Sequence, residues 1–320
     1  MTKPMRPFSI YWSEDFSGHA DIAGHPESPT RLSAIVDGLK ASGRWTDYPI
    51  VEAELISLEA LSVVHSGEYI KFIEEACNRG VTLVDGADTL VTKGSWVAAM
   101  KAAGAGVQAV DEAFSEQLSS AFILCRPPGH HALSDRAMGF CLFNNVAVAA
   151  QYALDRYGLD RVAIIDWDVH HGNGTQDIFY GSERVKYISL HEHPLFPGTG
   201  AKDEIGIGPG SGFTHNFPLA PGQSDREYIN VFETAIADIV LSYKPELLLI
   251  SAGFDAHHRD PLGHMTVTSE GFGELTKICT KLADEICSGR VISMLEGGYD
   301  LTGLSESVVQ HVDALADAPR

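Results

Sequence analysis

Two aspartates and a histidine occupy alternate positions in Asp166-Trp167-Asp168-Val169-His170, directly after the apolar run Val162-Ala163-Ile164-Ile165. The run reads as a buried strand, and in extended chain residues two apart share a face. The spacing therefore predicts that Asp166, Asp168 and His170 project together from a strand end. Carboxylates beside an imidazole are ligands for a divalent metal.

Other chemistry-bearing residues also follow apolar runs. His130 and His131 come after 121–125, Asp255 after 247–250, and Glu296-Gly297-Gly298-Tyr299 after 291–295. Taken singly, an aspartate after a strand is usually a turn or cap. Paired histidines are often structural, each ring satisfied by a carbonyl. What those plainer readings leave unexplained is that all four groups fall at carboxyl ends of strands. Three protein ligands, Asp168, His170 and Asp255, would leave a divalent ion with open positions, as catalytic sites do. His130 and His131 supply acid–base capacity near neutrality. Tyr299 can donate its hydroxyl to an oxyanion, and Asp166 can orient a histidine through its ring N–H. Together these parts make a metal-assisted amide hydrolase. Two oxygen ligands and one nitrogen would suit Fe(II) as well as zinc.

Six strands are expected to position these groups, over 8–11, 121–125, 162–165, 187–190, 247–250 and 291–295. Helical segments alternate with them. One spans 31–39, with Ser28 as its cap and Pro29 in its first turn. Others span 96–114, 145–157, 272–286 before the stop Gly289, and 304–316. The capping box Ser224-Asp225-Arg226-Glu227 opens a further helix reaching residue 239. Alternation implies an α/β fold with a largely parallel sheet and helices on both faces. Ligands bind beyond the carboxyl ends of such strands. Residues 1–320 read as one domain.

Composition narrows the function. The net charge is −20, with 23 basic against 43 acidic residues. That argues against direct nucleic-acid binding, which needs a basic face. An acidic field would draw in cationic substrates, though scattered surface carboxylates also serve solubility alone. The five cysteines lack any Cys-x-x-Cys pair, which fits reduced thiols in a cytoplasmic protein. Neither a signal peptide nor a membrane span is expected. Oligomeric state is not legible.

The chain resembles the zinc-dependent histone deacetylase and acetylpolyamine amidohydrolase superfamily, specifically its class II-like branch. The matching stretches, in family order, are RPPGHH (126–131), MGFCLFNN (138–145), IDWDVHHGNGTQ (165–176), FPGTG (196–200), SAGFD (251–255), DPLG (260–263) and LEGGY (295–299). HPESPTR (25–31) resembles the family's N-terminal loop. The resemblance implies a three-layer αβα, arginase/deacetylase-like fold. It assigns zinc to Asp168, His170 and Asp255, tandem acid–base chemistry to His130 and His131, and carbonyl polarisation to Tyr299. Asp166 matches the partner of His130. Asn173 stands where one branch has an aspartate beside His131, which weakens support for an imidazolium there and favours His131 as the base. An acyl tunnel would be lined by Gly139, Phe140 and Phe196, with plain core packing the alternative for Phe196. Asp88 resembles a rim residue that holds substrate backbone. Two monovalent-cation sites, usually potassium, are implied. One would use Asp166, Asp168, His170, Ser189 and Leu190; the other would use Phe179, Ser182 and Val185.

The implied activity is removal of acetyl or related acyl groups from the Nε of lysine in proteins or peptides. Leu262 supports it, because a polyamine-selective branch places glutamate there. The alternative is an acetylpolyamine amidohydrolase, with which an acidic chain is compatible. Tyr299 argues against a catalytically weak acyl-lysine reader. A dimanganese ureohydrolase lacks its second set of ligands, since a single Asp255 follows Ser251.

Overall fold

The computed structural model describes residues 7–317. In chain order its strands are β1 (Phe8–Trp12), β2 (Ile50–Glu52), β3 (Thr82–Leu83), β4 (Leu90–Val91), β5 (Ser120–Ile123), β6 (Val162–Asp166), β7 (Val185–Glu192), β8 (Thr214–Leu219), β9 (Leu247–Ala252) and β10 (Val291–Leu295). β3 and β4 form a small antiparallel ribbon. The other eight make one sheet, ordered β2-β1-β5-β10-β9-β6-β7-β8, and every neighbouring pair is parallel.

All six expected strands are present, and they fill the sheet's interior. The four that carry the site, β5, β6, β9 and β10, are buried at every position. Burial on both faces explains their unbroken apolar runs. Of the strands missed in the sequence, β3 and β4 make the separate ribbon, and β2 and β8 are the two edges of the large sheet. Both edges carry partly exposed positions, so neither shows a continuous apolar signature.

Helices cover the sheet in two groups. Thr30–Ala41, Ser269–Ile286 and Leu301–Asp317 pack on one another, as do Ser95–Phe114 and Asn145–Tyr157. Ser95–Phe114 lies close to its neighbours because small residues line it. A Cβ at Gly104 would run into the backbone at Glu54 and Ile56.

Two local expectations need correction, and one helix lies where none was expected. Ser28 does not cap the first long helix. Its hydroxyl bonds the Thr30 hydroxyl at 2.6 Å, and the N-cap is Pro29. The capping box at Ser224 forms, but the segment after it is not one regular helix. A π-helical turn, Phe232–Ile236, separates Asp225–Val231 from Ala237–Tyr243. The wider turn buries both Phe232 and Ile236. The helix Gly67–Arg79 was not anticipated, although Ser66 caps it by accepting the Tyr69 N–H at 3.2 Å.

Candidate active site and metal centre

The Asp-x-Asp-x-His run does not continue as a strand. β6 ends at Asp166, and each aspartate then folds onto an amide two residues on. Asp166 Oδ1 accepts the Asp168 N–H at 3.2 Å, and Asp168 Oδ1 accepts the His170 N–H at 2.9 Å. These turns separate the side chains that strand alternation would keep together. Asp166 turns toward His130 and Tyr187, with distances of 3.1 and 3.0 Å to its Oδ2. Asp168 and His170 turn toward Asp255.

Asp168, His170 and Asp255 offer ligand atoms that all lie within 4.8 Å of one another. His170 Nδ1 is 3.0 Å from Asp168 Oδ1 and 3.2 Å from Asp255 Oδ2. The remaining carboxylate oxygens are held from behind. Asp255 Oδ1 accepts the Val169 N–H, and Asp168 Oδ2 the Gly297 N–H, both at 2.8 Å. Gly253 and Gly297 make the cradle, because a side chain at either would collide with these carboxylates. Two buried carboxylates and an imidazole, fixed from behind and convergent in front, fit a divalent ion.

The tandem histidines lie side by side, ring centroids 4.0 Å apart, in unlike surroundings. Burial pulls the His130 pKa down, but Asp166, Asp168 and Glu296 outweigh it and raise it to about 10. His131 is driven well below its ordinary value by burial, then by the charges of His130 and His170. Asn173 Oδ1 lies 2.8 Å from His131 Nδ1. An amide oxygen can only accept, so His131 carries its proton on Nδ1 and leaves Nε2 as the lone pair. Burial, then the charges of Asp255 and Asp168, holds the Tyr299 hydroxyl far above the usual phenol range. It stays protonated and able to donate.

These groups meet at a cavity of about 280 Å³ lined by Asp88, His131, Gly139, Phe140, His170, Leu195, Phe196, Leu262 and Tyr299. All five residues expected to contact substrate line it. Phe196 is 43 % exposed, which rules out plain core packing, and its ring centroid is 5.1 Å from His131. Phe140 faces Tyr299 at 6.0 Å. Gly139 and Phe140 both have positive φ, +53° and +69°. At Gly139 a Cβ would stand 2.5 Å from the His131 ring.

Ser189 pairs in register with Asp166 across β6 and β7, and Leu190 follows it. Asp168 and His170 lie just beyond, so the first set of cation residues is gathered at two adjoining strands. Phe179, Ser182 and Val185 lie on the link into β7, where Phe179 O already accepts the Ser182 N–H at 2.9 Å.

The sequence reading assigned no role to the residues that brace this site. Glu27 pairs with Arg126 and Arg31, all three at most 1 % exposed. Arg31 donates to Glu296 O and Gly298 O, each at 2.6 Å, gripping the turn that carries Tyr299. Asp260 accepts the N–H groups of Leu262 and Tyr299 at 2.9 and 2.6 Å, joining two walls of the cavity. Glu296 accepts from Gly129 N–H, His130 N–H and the Ser251 hydroxyl at 2.6, 3.2 and 3.0 Å. Charged residues inside HPESPTR, DPLG and LEGGY were the available signal, since buried charges need partners.

Over residues 25–315 the sequence matches the family described as histone deacetylase domain. The chain belongs to the histone deacetylase family. It is 39% identical over 296 residues to a probable deacetylase of Archaeoglobus fulgidus, covering 92% of this chain and 82% of that protein. It is 39% identical over 322 residues to Histone deacetylase 14, chloroplastic, of Arabidopsis thaliana, covering 96% and 76%. The crystal structure of the HDA15 HD domain superposes with a TM-score of 0.92 at 37% identity, covering 96% and 87%. The fold is therefore the αβα arginase/deacetylase-like one, and the activity is hydrolysis of an amide bond. Among the described residues no helix is long and apolar enough to cross a membrane.

Proposed function

We propose that this deacetylase-family protein is a zinc-dependent deacylase of Nε-acyl-lysine in proteins or peptides. The observation that carries the reading is the joint lining of one narrow cavity. His131, His170, Tyr299, Phe140 and Phe196 all line it. Aromatic walls suit the methylenes of a lysine stem, and water is excluded along them.

Asp168, His170 and Asp255 would hold the ion, which when bound supplies Lewis acidity to a carbonyl and lowers the pKa of a water. His131 Nε2 takes the proton of the attacking water and passes it to the lysine nitrogen as the carbon–nitrogen bond breaks. His130, tied to Asp166, supplies positive charge beside it. A cation beside Asp168 opposes protonation of both rings, but His130 keeps Asp166 and Glu296 as countercharges. The Tyr299 hydroxyl donates to the oxygen that gains charge as the amide is attacked. Fe(II) is the alternative ion. Potassium at the two sets of residues near β7, a single domain over 1–320 and a cytoplasmic location complete the proposal. The cytoplasmic part rests on five free, buried cysteines.

The polyamine reading draws on the net charge of −20 and on Asp88 at the mouth. Leu262, apolar and on the cavity wall, favours lysine by giving no anion for a secondary ammonium. Turnover of an acetyl-lysine peptide against N-acetylputrescine decides. The peptide is expected to be the better substrate, and a strong preference for the polyamine would overturn the proposal.

A further inference from the structure

A groove runs sideways from the mouth of the site. The cavity that holds His170 and Tyr299 shares Asp88, Gly139 and Phe196 with a second one of about 220 Å³. That one shares Arg136 and Met138 with a third of about 410 Å³. Among the described residues lining all three, Arg136 is the one lysine or arginine.

The backbone at Arg136 is fixed on both sides. Its carbonyl accepts the Leu133 N–H at 2.9 Å, and Met138 bridges Cys141 beyond buried Ala137. The side chain itself is exposed. Among the described residues it makes no ion pair or hydrogen bond. Four carboxylates line the groove, Asp85, Asp88, Asp177 and Glu204. Asp88 and Asp177 keep it acidic around Arg136, while the other two are committed elsewhere. Asp85 accepts the Ala87, Asp88 and Thr89 N–H groups and the Thr89 hydroxyl. Glu204 accepts from Gln176, Gly200 and Ala201.

A guanidinium is always charged, and its planar fork matches a carboxylate. We infer that Arg136 forms a carboxylate-reading subsite, pairing with an aspartate or glutamate side chain next to the acyl-lysine of the substrate. The overall acidic field works against such a ligand at long range, so Arg136 acts at contact distance as a discriminator. The inference rests on the acyl-lysine reading above.

The test is kcat/KM for acetyl-lysine peptides whose flanking residue is glutamate, alanine or lysine. Wild-type protein should favour glutamate over alanine by about 1.4- to 5-fold, the range for one exposed charge pair, mainly through KM. Arg136→Ala should erase that ratio, and Arg136→Glu should invert it toward lysine. Added salt should compress the wild-type ratio. Equal rates for the glutamate and alanine peptides in wild type overturn the subsite while leaving the deacylase reading intact, as does a ratio that survives Arg136→Ala. Failure to turn over any of the peptides, alongside turnover of N-acetylputrescine, defeats both.

Discussion

Replacing Glu296 separates the geometry of the site from its charge. The side chain is fully buried and joins three strand ends. It holds the Gly129–His130 turn after β5 and Ser251 near the end of β9, and itself follows β10. Glu296→Ala leaves two buried N–H groups without an acceptor. At about 1–3 kcal/mol each, the loss is about 2–6 kcal/mol of stability. The tandem histidines also lose their anchor, and a displacement of about 1 Å at reacting groups costs about 100-fold in rate. Glu296→Gln behaves differently. Its amide oxygen still accepts from Gly129 and His130, and its NH₂ can donate to Ser251. What disappears is the buried charge. Burial, with Asp166 and Asp168 adding to it, lifts the Glu296 pKa from 4.5 to about 7. A carboxylate raised in this way binds more protons folded than unfolded between those two values. The folded state therefore loses stability as pH rises from 4.5 to 7, and the gap corresponds to about 3 kcal/mol. Glu296→Gln should match wild type below pH 4.5 and gain up to about 3 kcal/mol on it above pH 7. Urea melts across that range, with metal content and kcat measured in parallel, test this. A glutamine variant as unstable as the alanine one at pH 8, or a difference from wild type that ignores pH, would refute the reasoning.

Three further outcomes are expected. Tyr299→Phe should lower kcat by about 100-fold or more with metal content unchanged, because only the oxyanion donor is lost; unchanged turnover would point to a reader instead of an enzyme. Asp255→Ala removes one of three ligands, and elemental analysis should find the protein without zinc, whereas equal zinc in the variant contradicts the ligand assignment. His311 is buried between Thr276 and Ser293, at 2.7 and 2.8 Å, and burial lowers its pKa to about 3. The unfolded chain takes up that proton below pH 6.5 and the folded chain does not, so stability falls with acid by about 1.4 kcal/mol per pH unit. His311→Phe should flatten the slope by that amount between pH 6 and 4, as read from urea melts in acid, and an unchanged slope would show that His311 does not titrate on unfolding.

Much of the fold was legible because parallel strands buried on both faces write themselves as apolar runs. β5, β6, β9 and β10 all announced themselves, and the chemistry followed each run directly. The edges β2 and β8 did not, because half-exposed strands leave no such run. The π-helical turn at Phe232–Ile236 also escaped, since a local widening of the helix preserves the apolar spacing that marks one.

By itself, the sequence determined which donor groups stand at the strand ends: Asp168, His170, Asp255, His130, His131 and Tyr299. It could do so because strand, turn and cap signals are local. Tertiary structure decided where those groups point and what holds them. Asp166 leaves the expected common face for His130, Arg31 reaches Glu296 O across 265 positions of chain, and Arg136 comes to rest beside the mouth. The physical reason is that a side chain beyond a strand end takes its direction from the amide or charge it can satisfy. Those partners are set by how the sheet is ordered, which no local periodicity records.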